Sequence, residues 1–257
     1  MDLGLSERVA LVTGGSRGIG RGVAESLARE GAAIAVAARG VEGVDATVTA
    51  LQASGAHAVG IVMDMADPDG PVAAVAQAES ALGPIDVLVA NAGGPPPGRF
   101  LDADDEGWDI AVQQNLLGTV RLIRAAIPGM RERGWGRIIT ITSTSVREVI
   151  DGLALSNATR AGVAGAVRTL AREVAGDGVT VNNVLPGPIL TDRMRQLLST
   201  EPDLEAAIAA RGARNPTGRL GDPGEVGDLV AFLASERAAF ITGASVMIDG
   251  GESRVVG

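Results

Sequence analysis

The sequence predicts an α/β fold: a doubly wound parallel sheet of seven strands with helices on both faces. Short apolar runs alternate with helical patterns from end to end, as expected of strands joined by crossover helices. A glycine cluster stands between the first apolar run and the first helical pattern. No linker-like segment or internal repeat divides the 257 residues, and a 46% hydrophobic chain can bury one sizeable core. A single domain over 1–257 is therefore expected.

The elements follow in order. RVALVT (8–13) is the first strand, and GIGRGVAESLAREG (18–31) a helix closed by Gly31. AAIAVAAR (32–39) is the second strand, 41–54 a helix, and AVGIVMD (58–64) the third strand. After a helix near 69–82, IDVLVANAG (85–93) is the fourth. Over 104–133, Val112, Leu116, Val120, Ile123, Ile127 and Met130 recur at helical spacing, and Pro128 is expected to bend that helix near its end. GRIITITS (136–143) is the fifth strand. Residues 154–175 are helical, with Val163, Val167, Leu170 and Val174 at core spacing. VTVNNVLPG (179–187) and SVMIDGG (245–251) are the sixth and seventh strands, with a helix near 223–235 between them. The less regular stretch 188–221 follows a strand end, where ligands bind in such sheets, and is a candidate substrate lid.

Composition excludes several functions. A net charge of −9 argues against binding a nucleic-acid backbone or an anionic membrane surface. There is no Cys, so disulfides and thiolate zinc sites are out, and the lone His57 leaves no metal site or Ser-His-Asp triad to expect. MDLGLSERVALVTGG lacks the basic segment and long apolar run of a signal peptide, and no apolar run is long enough to span a bilayer. A cytoplasmic protein is the expectation. Two absences bear on chemistry: the chain has no Tyr and no Lys, all 22 basic residues being Arg.

TGGSRGIG (13–20) joins the first strand to the first helix, with Gly14, Gly18 and Gly20 in G-x-x-x-G-x-G spacing. Glycines allow the tight turn and let backbone N–H groups approach a pyrophosphate at the helix N-terminus, as in a Rossmann-like fold. Ser16, Arg17 and Ile19 complete the candidate loop. An acid at the end of the second strand would bond the ribose 2′-OH of NAD; here that end reads Ala37-Ala38-Arg39. Arg39 and Arg17 suit a 2′-phosphate instead, so NADP(H) is the expected cofactor.

At this point the chain resembles the short-chain dehydrogenase/reductases, most closely the 3-oxoacyl-(acyl-carrier-protein) reductase type, from VALVTGGSRGIG to GASVMIDGG. By that resemblance, Asp64 followed by Met65 matches the acid that holds the adenine. Asn91, Ala92 and Gly93 match the motif bordering the cofactor. Asn115, in NLLGT, matches the active-site Asn, and Ser143 the catalytic Ser. In PGPILT (186–191), Pro186, Gly187, Ile189 and Thr191 match the loop that grips the nicotinamide carboxamide. One marker departs. The family carries Tyr-x-x-x-Lys thirteen residues after its Ser; the same count from Ser143 reaches Ser156, and four more reaches Arg160.

In the family, that Tyr protonates the carbonyl oxygen as hydride reaches carbon, its pKa of about 10 lowered by the Lys. A Ser hydroxyl is a far weaker acid and sits nearer the backbone, so Ser156 cannot simply take over. Arg160 can bond ribose hydroxyls and supply positive charge, but its guanidinium does not release a proton. Three readings follow. A reductase can use another proton source: a water held between Ser143, Ser156 and Asn115, or Glu148 or Asp151 in the following loop if burial raises its pKa. The chain can do non-redox work, such as dehydration, cyclisation or epimerisation. Or it binds NADP(H) without catalysis, as a sensor or scaffold. Asn115 and Ser143, which a pure binder does not need, favour the first two readings, and the complete cofactor apparatus favours an NADP-dependent oxidoreductase acting on a small-molecule carbonyl or alcohol.

NAGGPPPGRF (91–100) is stiff and poor in backbone donors, a candidate pocket wall; Asp192 and Arg193 are candidate substrate contacts. Without an aromatic at 156 the pocket is expected to be roomy enough for a polyketide-like substrate. The 154–175 helix is rich in small residues (Ala158, Ala161, Gly162, Ala164, Gly165, Ala166). The resemblance implies that this helix pairs across a two-fold axis in a homotetramer or homodimer.

Overall fold

The computed structural model describes residues 2–199 and 201–255; Thr200, within the candidate lid, lies outside them. Its centre is one parallel sheet in the order β3-β2-β1-β4-β5-β6-β7. The strands are β1 (Val9–Thr13), β2 (Ala33–Ala38), β3 (Ala58–Val62), β4 (Val87–Asn91), β5 (Gly136–Ile141), β6 (Val179–Pro186) and β7 (Ser245–Ile248). The helices are α1 (Gly18–Arg29), α2 (Val41–Ala53), α3 (Gly70–Leu82), α4 (Asp105–Ala111), α5 (Gly118–Glu132), α6 (Ala154–Val174), α7 (Asp192–Leu198), α8 (Leu204–Ala213) and α9 (Pro223–Ala234). All seven expected strands are present.

The strands read as continuous apolar runs because both faces are covered. Along β1, Leu11 points into one layer with α3, α5 and α6, while Ala10 and Val12 point into the other with α1 and α9. The period of two along β1 thus feeds two cores. Since β1 pairs with both β2 and β4, chain order reverses between them. That is the switch point, beyond whose carboxyl ends the candidate residues gather. Thr13 stitches the two strand ends together, its hydroxyl donating to the Asn91 carbonyl and accepting from the Asn91 N–H, both at 3.0 Å.

Three expectations need correction. The helix expected over 104–133 is broken by a π-helical turn at Val112–Leu117, separating α4 from α5. α5 runs through Pro128 to Glu132; the interruption lies at Asn115, not at the proline. Residues 188–221 are not irregular: they carry α7 and α8, each capped by a side chain (Thr191 accepting from Met194 N–H, Asp203 from Ala206 N–H). The seventh strand ends at Ile248, because Gly250 and Gly251 turn the chain at φ +65° and +78°.

Candidate active site

The turn after β1 is held open by glycine. Gly14 and Gly18 sit at φ +59° and +52°, and a Cβ on Gly20 would lie 2.1 Å from the Gly14 carbonyl oxygen. α1 then begins without a side-chain cap and without an acid in its first turn, which leaves its leading N–H groups available to an anion. The segment after β6 crosses this turn, with the Thr191 methyl 3.3 Å from where a Gly18 Cβ would stand. Thr191 also caps α7, Pro186 ends β6, and the Gly187 N–H donates to the Ile248 carbonyl. Ile189 is buried in the core and bridges to Gly221.

At the far end of the cleft, Arg17 and Arg39 are exposed and make no ion pair among the described residues. Arg39 and Asp64 line one cleft of about 360 Å³. Asp64 Oδ1 accepts from the Ala66 N–H at 3.0 Å, turning the chain after β3. Met65 puts its side chain in the core. Ser16 and Ile19 are half-buried along the loop, and the Ser16 carbonyl accepts from Thr47 Oγ1.

At the other end, the π turn aims two amides at one carbonyl. Asn115 Nδ2 and Gln114 Nε2 donate to the Gly93 oxygen at 3.0 and 2.8 Å. Neighbouring residues of a regular helix diverge; the wider π turn lets both reach the chain that follows β4. Asn115 is 4% exposed, and its Oδ1 is buried without a hydrogen-bond partner among the described residues. Asn91 Nδ2 reaches the Gly14 carbonyl at 3.4 Å, and Ala92 packs on the core, so Asn91-Ala92-Gly93 links the glycine turn to Asn115.

Ser143 follows β5, half-buried and extended, its Oγ accepting from the Ser145 N–H at 3.1 Å. Ser156 lies in the first turn of α6 and is 7% exposed. Its Oγ accepts from Arg160 Nε at 3.0 Å. Arg160 Nη1 donates to the Ile141 carbonyl at 3.2 Å and to that of Thr142, while Nη2 is 3.7 Å from the Cβ position of Gly94. Burial of this guanidinium lowers its pKa to about 10, which leaves it protonated at neutral pH, with no ion pair among the described residues.

Two proton sources expected from the sequence fail on geometry. Glu148 is exposed and turned to the C-terminal segment, where its Oε2 accepts from Ser253 Oγ at 3.0 Å; Asp151 is exposed on a turn. The enclosed space of about 10 Å³ at the bottom of the site, near the size of one water, is lined by Asn115, Thr142 and Arg160 but by neither Ser143 nor Ser156. Sequence reasoning missed Gln114 and Thr142. Their roles depend on the π turn and on pairing across β5 and β6, neither of which has a local signature.

The proline segment is tied to the residues before α6. Gly98 pairs with the residues before α6: its N–H donates to Gly152 and its carbonyl accepts from Ala154 N–H. Arg193 reaches back to this segment. Asp192, by contrast, is exposed in the first turn of α7.

Fold and loop together define a dinucleotide-binding α/β protein with its cleft at the switch point of the sheet. The chain belongs to the short-chain dehydrogenase/reductase family: residues 14–253 match the family model described as enoyl-(acyl carrier protein) reductase. It is 39% identical over 244 residues to the 3-oxoacyl-[acyl-carrier-protein] reductase of Escherichia coli K12, covering 95% of this chain and 96% of that one. Among solved structures it is similar to L-sorbose reductase of Gluconobacter frateurii complexed with NADPH and L-sorbose (TM-score 0.95, 33% identity, both chains fully covered). It is also similar to a variant actinorhodin polyketide ketoreductase with NADPH (TM-score 0.92, 36% identity, 96% of this chain and 98% of that one).

Proposed function

We propose that the protein is an NADPH-dependent reductase of a small-molecule ketone, of β-ketoacyl or polyketide-like type, working without a tyrosine proton donor. The observation that carries this is convergence. The glycine turn, Asn91-Ala92-Gly93, Asn115, Ser143, Arg160 and the 186–191 segment come from six separate parts of the chain and meet in a chain of contacts at the carboxyl ends of the strands. The relatives named as reductases, two of them solved with NADPH, support the same reading.

The residues present fit the cofactor. The uncapped start of α1 suits a pyrophosphate, Arg17 and Arg39 suit a 2′-phosphate in place of the absent acid, and the 186–191 backbone suits the carboxamide. When bound, the nicotinamide supplies hydride. Ser143 Oγ orients the carbonyl. Arg160 holds a permanent positive charge beside the strand end that presents Ser143, and the proton comes from water reaching the substrate oxygen. Retained Asn115 and Ser143 set this reading above a non-catalytic NADP(H) sensor, and the complete cofactor apparatus sets it above a non-redox enzyme. We further read the chain as one domain with 188–221 as its lid. The small, exposed Ala158, Ala161, Gly162 and Gly165 on α6 suit close pairing with a second copy, in a homodimer or homotetramer. No helix among the described residues is long and apolar enough to cross a membrane, in keeping with a cytoplasmic site of action.

The test is fluorescence titration with NADPH and NADH, then turnover on ketones, quinones and β-ketoacyl thioesters. NADPH binding with ketone reduction is expected. Tight NADPH binding with no oxidation of it by any of these would move the assignment to a non-redox enzyme or a sensor. Failure to bind either nucleotide would overturn it.

A further inference from the structure

We propose that Ser156 is the positioning residue of Arg160, and that the pair clamps the end of β5 presenting Ser143 rather than replacing the missing proton donor. The role in turnover rests on the reductase reading above; the clamp itself does not.

The geometry runs in one line. Ser156 Oγ accepts from Arg160 Nε one helical turn along α6, at 3.0 Å. Arg160 Nη1 bonds the carbonyls of Ile141 and Thr142, the last two before Ser143. The strand end is held from the other side as well, with Thr142 Oγ1 donating to Asn183 Oδ1 of β6 at 2.8 Å. Ser143 leaves this grip in the extended conformation that sets its Oγ against the Ser145 N–H. One planar fork thus joins α6 to β5 immediately before the candidate catalytic serine.

The residue types match this task. A guanidinium has donors on three nitrogens in a fixed plane, so Nε can take the helix while Nη1 takes the strand; a Lys would have to serve both from a single nitrogen. A serine hydroxyl lies close enough to its own backbone to meet Nε from four residues away, whereas a phenol oxygen would be carried past it. No carboxylate among the described residues neutralises Arg160, so each buried N–H depends on a neutral acceptor, and a donor stripped of one is costly. Removing the Ser156 oxygen leaves Nε unpaired and loosens the fork. Adding a phenol does the same.

The test compares wild type with Ser156→Ala and Ser156→Thr by steady-state kinetics, NADPH fluorescence titration, and hydrogen exchange over 141–147 in the protein without cofactor or substrate. Ser156→Ala is expected to lower kcat about tenfold. It should leave NADPH affinity within about twofold and the pH profile of kcat unchanged, and speed exchange across 143–147. Ser156→Thr, which keeps the acceptor, should restore both rate and protection. Wild-type exchange in Ser156→Ala would overturn the clamp. A displaced pH profile would place Ser156 in the proton path and overturn the positioning role. A wild-type protein that binds no NADPH would defeat the reductase reading alone, since exchange decides the clamp without cofactor.

Discussion

Arg193, in α7, donates from Nη2 to the carbonyl oxygen of Pro95 at 3.2 Å, joining α7 to the proline segment after β4. Proline-rich backbone offers few donors but keeps its carbonyls, and a half-buried guanidinium uses one of them. Arg193→Ala should therefore release α7 from that segment. A charge-assisted bond of about 1.5 kcal/mol predicts roughly a tenfold rise in substrate KM, with NADPH affinity unchanged. Steady-state kinetics at saturating NADPH checks this, and an unaltered KM would remove the strap from substrate binding.

The exposed Arg17 and Arg39, with no acid at the end of β2, predict cofactor choice. Arg39→Ala should weaken NADPH at least tenfold and leave NADH nearly untouched, because only the 2′-phosphate loses a partner. Paired titrations read the ratio directly; equal loss for both nucleotides would mean that Arg39 acts on the turn rather than on the phosphate.

Ser143→Ala should bind NADPH like wild type and lose turnover by about 100-fold or more, as expected when a group bonding the reacting oxygen is removed. Retained turnover in that variant would take Ser143 out of the mechanism.

The coupling of positions 156 and 160 predicts a non-additive pair. Ser156→Tyr alone should lower activity, because Arg160 loses its acceptor. Ser156→Tyr with Arg160→Lys should gain reduction of simple ketones over wild type, since a phenol beside an ammonium is a usable acid near neutral pH. Assaying the single and double variants side by side settles it; no gain in the double variant would mean that the pocket differs beyond these two residues.

Glu225 carries an acid dependence. Its carboxyl accepts from Arg219 and from the Asp222 N–H of its capping box, which holds its pKa at about 2 against an ordinary 4.5. A depressed folded pKa means that the contribution is complete above about 4.5 and disappears as the pH falls toward about 2. The pair is solvent-exposed, so the effect is modest. Glu225→Gln should lower the melting temperature slightly at pH 7 and leave it equal to wild type near pH 2, as thermal melts across that range will show.

Much of this was legible locally. The strands of the sheet announce themselves as apolar runs between helical patterns. The glycine turn is readable because the bend after β1 leaves no room for a Cβ at Gly20. Arg39 at the end of β2 signals its cofactor by residue type alone. The break at Val112–Leu117 was not legible, since the apolar spacing of 104–133 continues across it and a π turn has no compositional mark. Nor were α7 and α8, where polar and small residues conceal two capped helices.

What the sequence by itself determined is the layered sheet, the cofactor end of the cleft and the absence of a phenol at the reaction centre, because these depend on periodicity, glycine placement and composition. Only the tertiary structure decided what Ser156, Arg160 and Glu148 do. A hydroxyl, a guanidinium or a carboxylate takes its role from whichever donors and acceptors the fold brings within 3 Å. Here Ser156 meets Arg160, Arg160 meets the end of β5, and Glu148 meets Ser253 from the far end of the chain.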